Sequence, residues 1–541
     1  MTSMSRIPIG GLRNKATVAL AKRCLVLRNN RATACSTSGH CTKSGDERLA
    51  AVGARIIQPT MSQAAPAIPP PIKIRSSENT HELLRQLLWL SVPVLAENML
   101  HMLVGLNDTY LANHVNLMGS GTTAELDAQR AAAASAVGAI TYILWFIGLF
   151  AGSIGTGSTA LIARASGARH RRMANSICGQ SISVALVGGC ALGLFMLFTA
   201  VPTADLTRLH GPAYGFALSY LRMLSPSVPF LVVMFIANAC LRGAGDSFTP
   251  AVSMIIVDVV NIAFSWGLTY GFSFHGRRLL PQMGFEGIAI GTVIAYIVGG
   301  VVQLIVLLHG RGGIRLHLHR LRPHWQNIRR LCRIGLPSGL ENLLQWVANF
   351  GVLIVINQTD PSNVSSAAHI NTVRIEALSY MAGFAIATGA ATMVGQSLGM
   401  RDAERANRSA YLAFVVGGVT MTLCGLLFVF FGRFPAGWMS GDPQIAALTT
   451  RCLLITGLIQ SGFAAAIIFG GALRGAGDTF VVMLINLASI LALRLVGVLI
   501  VGLWLRLGLA AIWMVLAGEL FIRGLMMLAR FRQGGWRTIE V

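Results

Sequence analysis

Acidic residues are scarce in this chain: 21 Asp and Glu stand against 43 Lys and Arg in 541 residues, and all charged residues together make up only 12%. With 54% hydrophobic residues and a mean hydropathy of +0.63, there is too little charge to clothe a water-soluble protein of this length. Cysteine is sparse as well, nine residues without a CxxC or a metal-ligand spacing. Neither a disulfide framework nor a zinc site is implied, and the cysteines read as small packing residues. Catalytic signatures are missing. His81-Glu82 runs on into Leu83-Leu84-Arg85, which is not HExxH, and Ala151-Gly152-Ser153-Ile154-Gly155 lacks the strand-turn-helix setting of a nucleophile elbow. No enzyme activity and no cofactor is expected. The formal charge of +22 suggests nucleic acid as a partner, but no aromatic residues interleave the basic ones, so none is expected.

What is present is a succession of apolar runs, each long enough for a bilayer core that needs about 20 residues of helix. Polar breaks divide them into twelve expected helices centred near residues 100, 145, 188, 227, 261, 296, 343, 381, 418, 459, 491 and 518. The excess charge sorts by side. Residues 1–60 carry ten Lys and Arg against Asp46 and Glu47, and the alternate loops on the same side carry 22 from Lys73 onward, against seven on the other. Positive loops mark the cytoplasmic face, so both termini are expected there. Residues 1–80 form a basic, Ser- and Pro-rich extension, expected to be disordered. It reads either as an organellar transit segment, which would place the protein in an organellar membrane rather than the cell (inner) membrane, or as residues ahead of a start at Met61.

One stretch occurs twice. Leu241-Arg242-Gly243-Ala244-Gly245-Asp246 and Leu473-Arg474-Gly475-Ala476-Gly477-Asp478 lie 232 residues apart. Glycine and aspartate disfavour a helix interior, so each reads as a hairpin between membrane helices. The same shift lays Gly157 on Gly389, Gly167 on Gly399 and Arg169 on Arg401, while a shift of 244 lays Pro93 and Glu97 on Pro337 and Glu341. The chain therefore divides into an N-lobe (81–308), a connector (309–327) and a C-lobe (328–541). Six helices per lobe give both the same sense of entry, hence a pseudo-two-fold axis along the membrane normal and a site between the lobes.

The paired hairpins, Gly395-Gln396-Ser397-Leu398-Gly399 after the eighth helix, and Pro93 followed by Asp108-Thr109 resemble the multidrug and toxic compound extrusion (MATE) transporters over residues 83 to 530. The resemblance implies an all-α, twelve-helix, two-lobed antiporter. It would act as a monomer in the lipid bilayer, exporting organic molecules in exchange for protons or sodium ions. A lipid-linked sugar flippase is the alternative transporter reading.

Candidate residues follow. A charge at the bilayer centre costs about 2.5–3.5 kcal/mol on insertion scales, so acids there face the bundle interior. Asp108 matches the first-helix acid of the family and is the expected cation-coupling residue, with sodium at Asp108 the one metal ion considered. Asp258 and Asn261 are grouped with it, although Ser265 stands where many relatives carry an aspartate. Glu97, Glu341, Gln345, Glu376 and Arg374 are assigned to the substrate cavity. Glu97 and Glu341 read equally as polar anchors beside the prolines, and Gln345 replaces a glutamate common in relatives. Arg494 is expected to pair with a buried acid. Counting acids over bases at these positions favours cationic or neutral cargo. Arg242, Gly243, Gly245 and Asp246, with Arg474, Gly475, Gly477 and Asp478, are expected to be structural corners outside the cavity; Pro93 is expected to bend its helix, and Pro337 is its structural repeat mate.

Overall fold

A computed structural model describes residues 79–115, 123–206, 211–274, 277–360 and 362–539. The N-terminal extension lies outside the described residues. The N-lobe consists of α1 (Thr80–His114), α2 (Thr123–Gly167), α3 (Arg171–Phe198), α4 (Pro212–Ala244), α5 (Phe248–Tyr270) and α6 (Phe285–His309). The C-lobe consists of α7 (Trp325–Thr359), α8 (Val364–Gly399), α9 (Ala403–Phe431), α10 (Pro443–Leu458 and Gln460–Gly475), α11 (Thr479–Trp504) and α12 (Leu509–Gln533). Eleven of these are long and apolar enough to cross a membrane unaided, and α10, bent by 60°, makes the twelfth. The bend falls at Ile459, and its repeat mate lies in a 3₁₀ turn, Ser225–Ser227, in α4. In the N-lobe Pro226 removes a backbone donor there.

One element was not anticipated. A short antiparallel hairpin, β1 (Phe272–Phe274) with β2 (Arg277–Leu280), joins α5 to α6 and pairs Phe272 with Leu280. The connector, by contrast, is held by α3. Gln180 Nε2 donates to the carbonyls of Arg320 (2.7 Å) and Arg322 (2.8 Å), and its Oε1 accepts from the amide of His324 (2.8 Å). One side chain thereby satisfies three backbone groups of the connector, in and just after its short 3₁₀ turn Leu318–Leu321.

The lobes meet through small residues, and the contacts are reciprocal. A β-carbon at Gly167 would lie 2.0 Å from the carbonyl oxygen of Gln396, and one at Gly399 would lie 2.1 Å from that of Arg164. Gly167 and Gly399 are repeat mates, and so are Arg164 and Gln396. A contact in which i meets j and the mate of j meets the mate of i is the signature of a two-fold axis. Arg169 and Arg401, also mates, both take a left-handed backbone, with φ 56° and 61°.

All described hydrogen bonds between the lobes' helices join one end of the bundle. Ser153 Oγ donates to Gly335 O at 2.7 Å, Thr392 Oγ1 to Arg242 O at 3.2 Å, Gln396 Nε2 to Gly243 O at 3.3 Å, Arg405 Nη2 to Gln86 Oε1 at 3.0 Å, and Asn327 Nδ2 to Ser176 Oγ at 3.0 Å. The C-terminal half of α1 turns instead to α5 and α6, and that of α7 to α11 and α12. The lobes are thus sealed at the arginine-rich end.

Candidate functional site

The repeated hairpin explains itself residue by residue. In each copy the second glycine carries the chain out of its helix, at φ +98° for Gly245 and +89° for Gly477, where any side chain would be strained. The first glycine permits close approach: a β-carbon at Gly243 would stand 2.8 Å from Thr159 O, and one at Gly475 2.2 Å from Ala391 O. The aspartates serve the corner. Asp246 accepts from the amide and hydroxyl of Thr249 at 3.0 and 2.7 Å, while Asp478 pairs with Arg530 of α12 at 2.8 Å.

The arginines do something else. Arg242 Nη1 reaches both oxygens of Glu97, at 2.7 and 2.8 Å, and Arg474 Nη1 reaches Glu341 Oε1 at 2.8 Å. Asn238 adds a donor to Glu97 Oε1 at 2.9 Å, and Asn486 one to Glu341 Oε1 at 2.6 Å. Arg242, Arg474, Glu341 and Gly475 line a cavity of about 390 Å³ between the lobes. The expectation that both hairpins lie outside the cavity is therefore overturned for Arg242, Arg474 and Gly475. Arginine is long enough for its guanidinium to extend a full turn from a helix terminus. Glu97, assigned to the cavity, instead stands behind Arg242 and is buried.

Asp108 sits in a cluster built by four helices. Its Oδ2 accepts from the hydroxyls of Tyr220 (α4, 2.9 Å) and Thr292 (α6, 2.7 Å), and its Oδ1 from Asn261 Nδ2 (α5, 3.4 Å). Asn261 is itself aligned, because Asn107 donates to its Oδ1 at 2.9 Å and Trp266 donates to Asn107 at 2.9 Å. Asn261 thus joins Asp108 as the sequence suggested. Asp258 does not: it is buried one turn away, and neither of its oxygens has a hydrogen-bond partner among the described residues. Tyr220 and Thr292 carry no signal in the sequence.

The C-lobe holds a second, larger network. Glu519 Oε2 accepts from Arg494 Nη2 at 2.8 Å and from Arg523 Nη2 at 2.9 Å, and Ser489 donates to the other oxygen. Arg494 Nη1 continues to Asn349 at 2.7 Å, and Arg523 Nη1 to Gln345 Oε1 at 3.1 Å. Arg494 does pair with a buried acid, and the acid is Glu519. A π-helical stretch, Ser489–Leu495, brings both Ser489 and Arg494 onto that carboxylate. Glu519 and Arg523 were missed, yet they stand four apart in an apolar run, a spacing that places them on one helix face. Besides Glu97, three cavity assignments need correction. Gln345 is taken up by this network, Glu376 is buried within the C-lobe where Thr456 donates to it, and Arg374 is exposed two residues away on another face of α8.

The MatE family profile matches residues 93–266 and 337–517, one segment in each lobe. The chain belongs to the MatE family. This MatE chain is a multi-pass membrane transporter of the multidrug efflux type, not an enzyme. It is 27% identical over 466 residues to a probable multidrug resistance protein, NorM, of Thermotoga maritima, covering 86% of this chain and 95% of that one. Among solved structures, it is similar to a MOP superfamily transporter from Pyrococcus furiosus, with TM-score 0.74, 19% identity, and 86% of this chain and 99% of that one covered. The bent form of the Vibrio cholerae MATE transporter VcmN gives TM-score 0.72 and 18% identity, covering 84% and 97%.

Proposed function

We propose that this MatE chain exports organic amphiphiles by alternating access, with a proton taken up at Asp108 as the counter-ion. With the arginine-rich end cytoplasmic, both termini lie inside the cell, and the sealed end described above closes the cavity toward the cytoplasm. Each chain contains both lobes and its own cavity, so a monomer in the bilayer suffices.

The observation that carries this reading is the Asp108 cluster. A single carboxyl, buried from bulk solvent, ties α1 to α4, α5 and α6 through three hydrogen bonds. When Asp108 takes a proton, one of its ties must change: a proton on Oδ2 requires a neighbouring hydroxyl to turn from donating to accepting, and a proton on Oδ1 displaces the Asn261 donor. The ties between α1 and the rest of its lobe then change with proton occupancy, which is the coupling that antiport requires. A sodium ion is the second candidate. It would need several oxygen lone pairs turned inward, as hard cations do, and around Asp108 only its own carboxylate and the hydroxyls of Tyr220 and Thr292 could supply them, since Asn261 meets it with its amide nitrogen.

The test is efflux or uptake of a fluorescent amphiphile in proteoliposomes under an imposed pH gradient and, separately, a sodium gradient. Native protein should respond to the pH gradient, and folded Asp108→Asn should lose that response. Gradient-driven transport of native magnitude by Asp108→Asn would refute the assignment, and a response to sodium alone would replace the proton.

A further inference from the structure

We propose that the central cavity grips its cargo through an anionic group, held between the guanidiniums of Arg242 and Arg474. The inference rests on the transport reading above and names the chemical class of its cargo: an amphiphile bearing a carboxylate, sulfonate or phosphate ester.

Each lobe contributes one arginine to the same cavity from equivalent positions of the repeat. Each uses only Nη1 on its glutamate. The Nε and Nη2 groups of both arginines have no protein hydrogen-bond partner among the described residues, and the side chains are 18% and 20% exposed. Those N–H groups form the planar edge with which arginine meets carboxylate and phosphate oxygens in pairs of hydrogen bonds.

The acids opposing them are not equally placed. Glu97 does not line the cavity, and both of its oxygens are taken by Arg242. Glu341 is the one carboxylate among the described residues on the cavity wall, which also carries the guanidiniums of Arg242 and Arg474; its Oε1 is taken by Arg474 and Asn486, and its Oε2 is buried without a hydrogen-bond partner among the described residues. A cationic cargo would have to settle against those guanidiniums, whereas an anion would complete their unused donors. The remaining wall mixes apolar groups, among them Phe235 from the N-lobe and Phe384 from the C-lobe, with the neutral polar Thr156, Thr159, Ser338, Asn342 and Thr388, and 390 Å³ is the size of pocket that takes a drug-sized organic body. This reverses the expectation of cationic or neutral cargo. That expectation counted Arg374, which is exposed, as a buried base and omitted Arg242, Arg474 and Arg523.

A matched dye pair tests it: anionic fluorescein and cationic rhodamine, which share the xanthene core. Binding to detergent-purified full-length protein is measured by fluorescence anisotropy, with unfolding midpoints as the control for folding. Native protein should bind fluorescein at least about tenfold more tightly than rhodamine. Arg242→Gln and Arg474→Gln should each weaken fluorescein binding about tenfold or more. Arg→Lys at the same positions, which keeps the charge and is less prone to leave a glutamate unpaired, should lose about three- to tenfold because the planar edge is gone. Glu341→Gln should move fluorescein binding the other way, toward higher affinity. Tighter binding of rhodamine by native protein, binding of neither dye, or fluorescein affinity unmoved by all four arginine variants would overturn the proposal. Asp108→Asn should still bind fluorescein. Coupled transport of rhodamine alone would therefore leave the transport reading standing and remove the anion site, while fluorescein binding without coupled transport would do the reverse.

Discussion

The seal between the lobes can be broken by adding one carbon atom. In Gly399→Ala the new β-carbon would stand 2.1 Å from Arg164 O and 2.9 Å from Ala168 N, and in Gly167→Ala 2.0 Å from Gln396 O. Carbon in ordinary contact keeps about 3.5 Å from its neighbours, and the atoms met here are backbone, which cannot turn aside as a side-chain tip could. The helices α2 and α8 must part by about 1 Å or more. Overpacking of this kind costs about 1–3 kcal/mol. Because the strain exists only while that end is sealed, it acts on the conformational equilibrium, and 1–3 kcal/mol shifts a ratio by about 5- to 150-fold. The assay is a distance distribution between nitroxide labels at Arg171→Cys and Glu404→Cys, exposed positions at the starts of α3 and α9, in a background freed of native cysteines. Each alanine variant should move population to longer distances and slow transport. Gly138→Ala serves as the control, since a β-carbon there meets nothing within 4 Å. Native distributions in both Gly399→Ala and Gly167→Ala, with the protein folded, would refute the seal.

Two further outcomes concern charge. Glu519→Gln leaves Arg494 and Arg523 buried together without their shared carboxylate, so stability should fall by about 3–5 kcal/mol, read as a lower unfolding midpoint in detergent; adding Arg494→Met should recover part of the loss, and an unchanged midpoint in Glu519→Gln would contradict the network. In the loop between α7 and α8, hydrogen bonds from the side chains of Ser362 and Ser365 and from their amides hold the Asp360 carboxyl well below the usual carboxylate range. A depressed value means that the contribution is complete above the unfolded carboxylate's value of about 3.9 and is lost as pH falls from there through the folded value. Exchange protection of the Ser365 amide, corrected for intrinsic rate, should therefore be constant from pH 7 to about 5 and decline only in stronger acid; a decline already near pH 6 would refute it.

The amino-acid sequence by itself determined the number and order of the helices, the two-fold repeat and the hairpin corners. These rest on local properties: hydropathy over about 20 residues, glycine where φ must be positive, and recurrence at a constant shift. Arg494's pairing with an acid was legible for the same reason, since a lone charge in an apolar run needs a partner. Which partner it takes was not legible. Arg242 meets Glu97 across 145 residues, Thr292 meets Asp108 across 184, and Ser153 meets Gly335 across 182. Only the packing of helices brings such groups within 3 Å, and only packing decides whether an arginine at a helix end turns to water or inward. That choice moved Arg242 and Arg474 from the corners of the fold to the wall of the cavity, and Arg374 from the cavity to an exposed face. A side chain's charge is written in the sequence, but the charge of a cavity depends on which side chains the tertiary structure turns toward it.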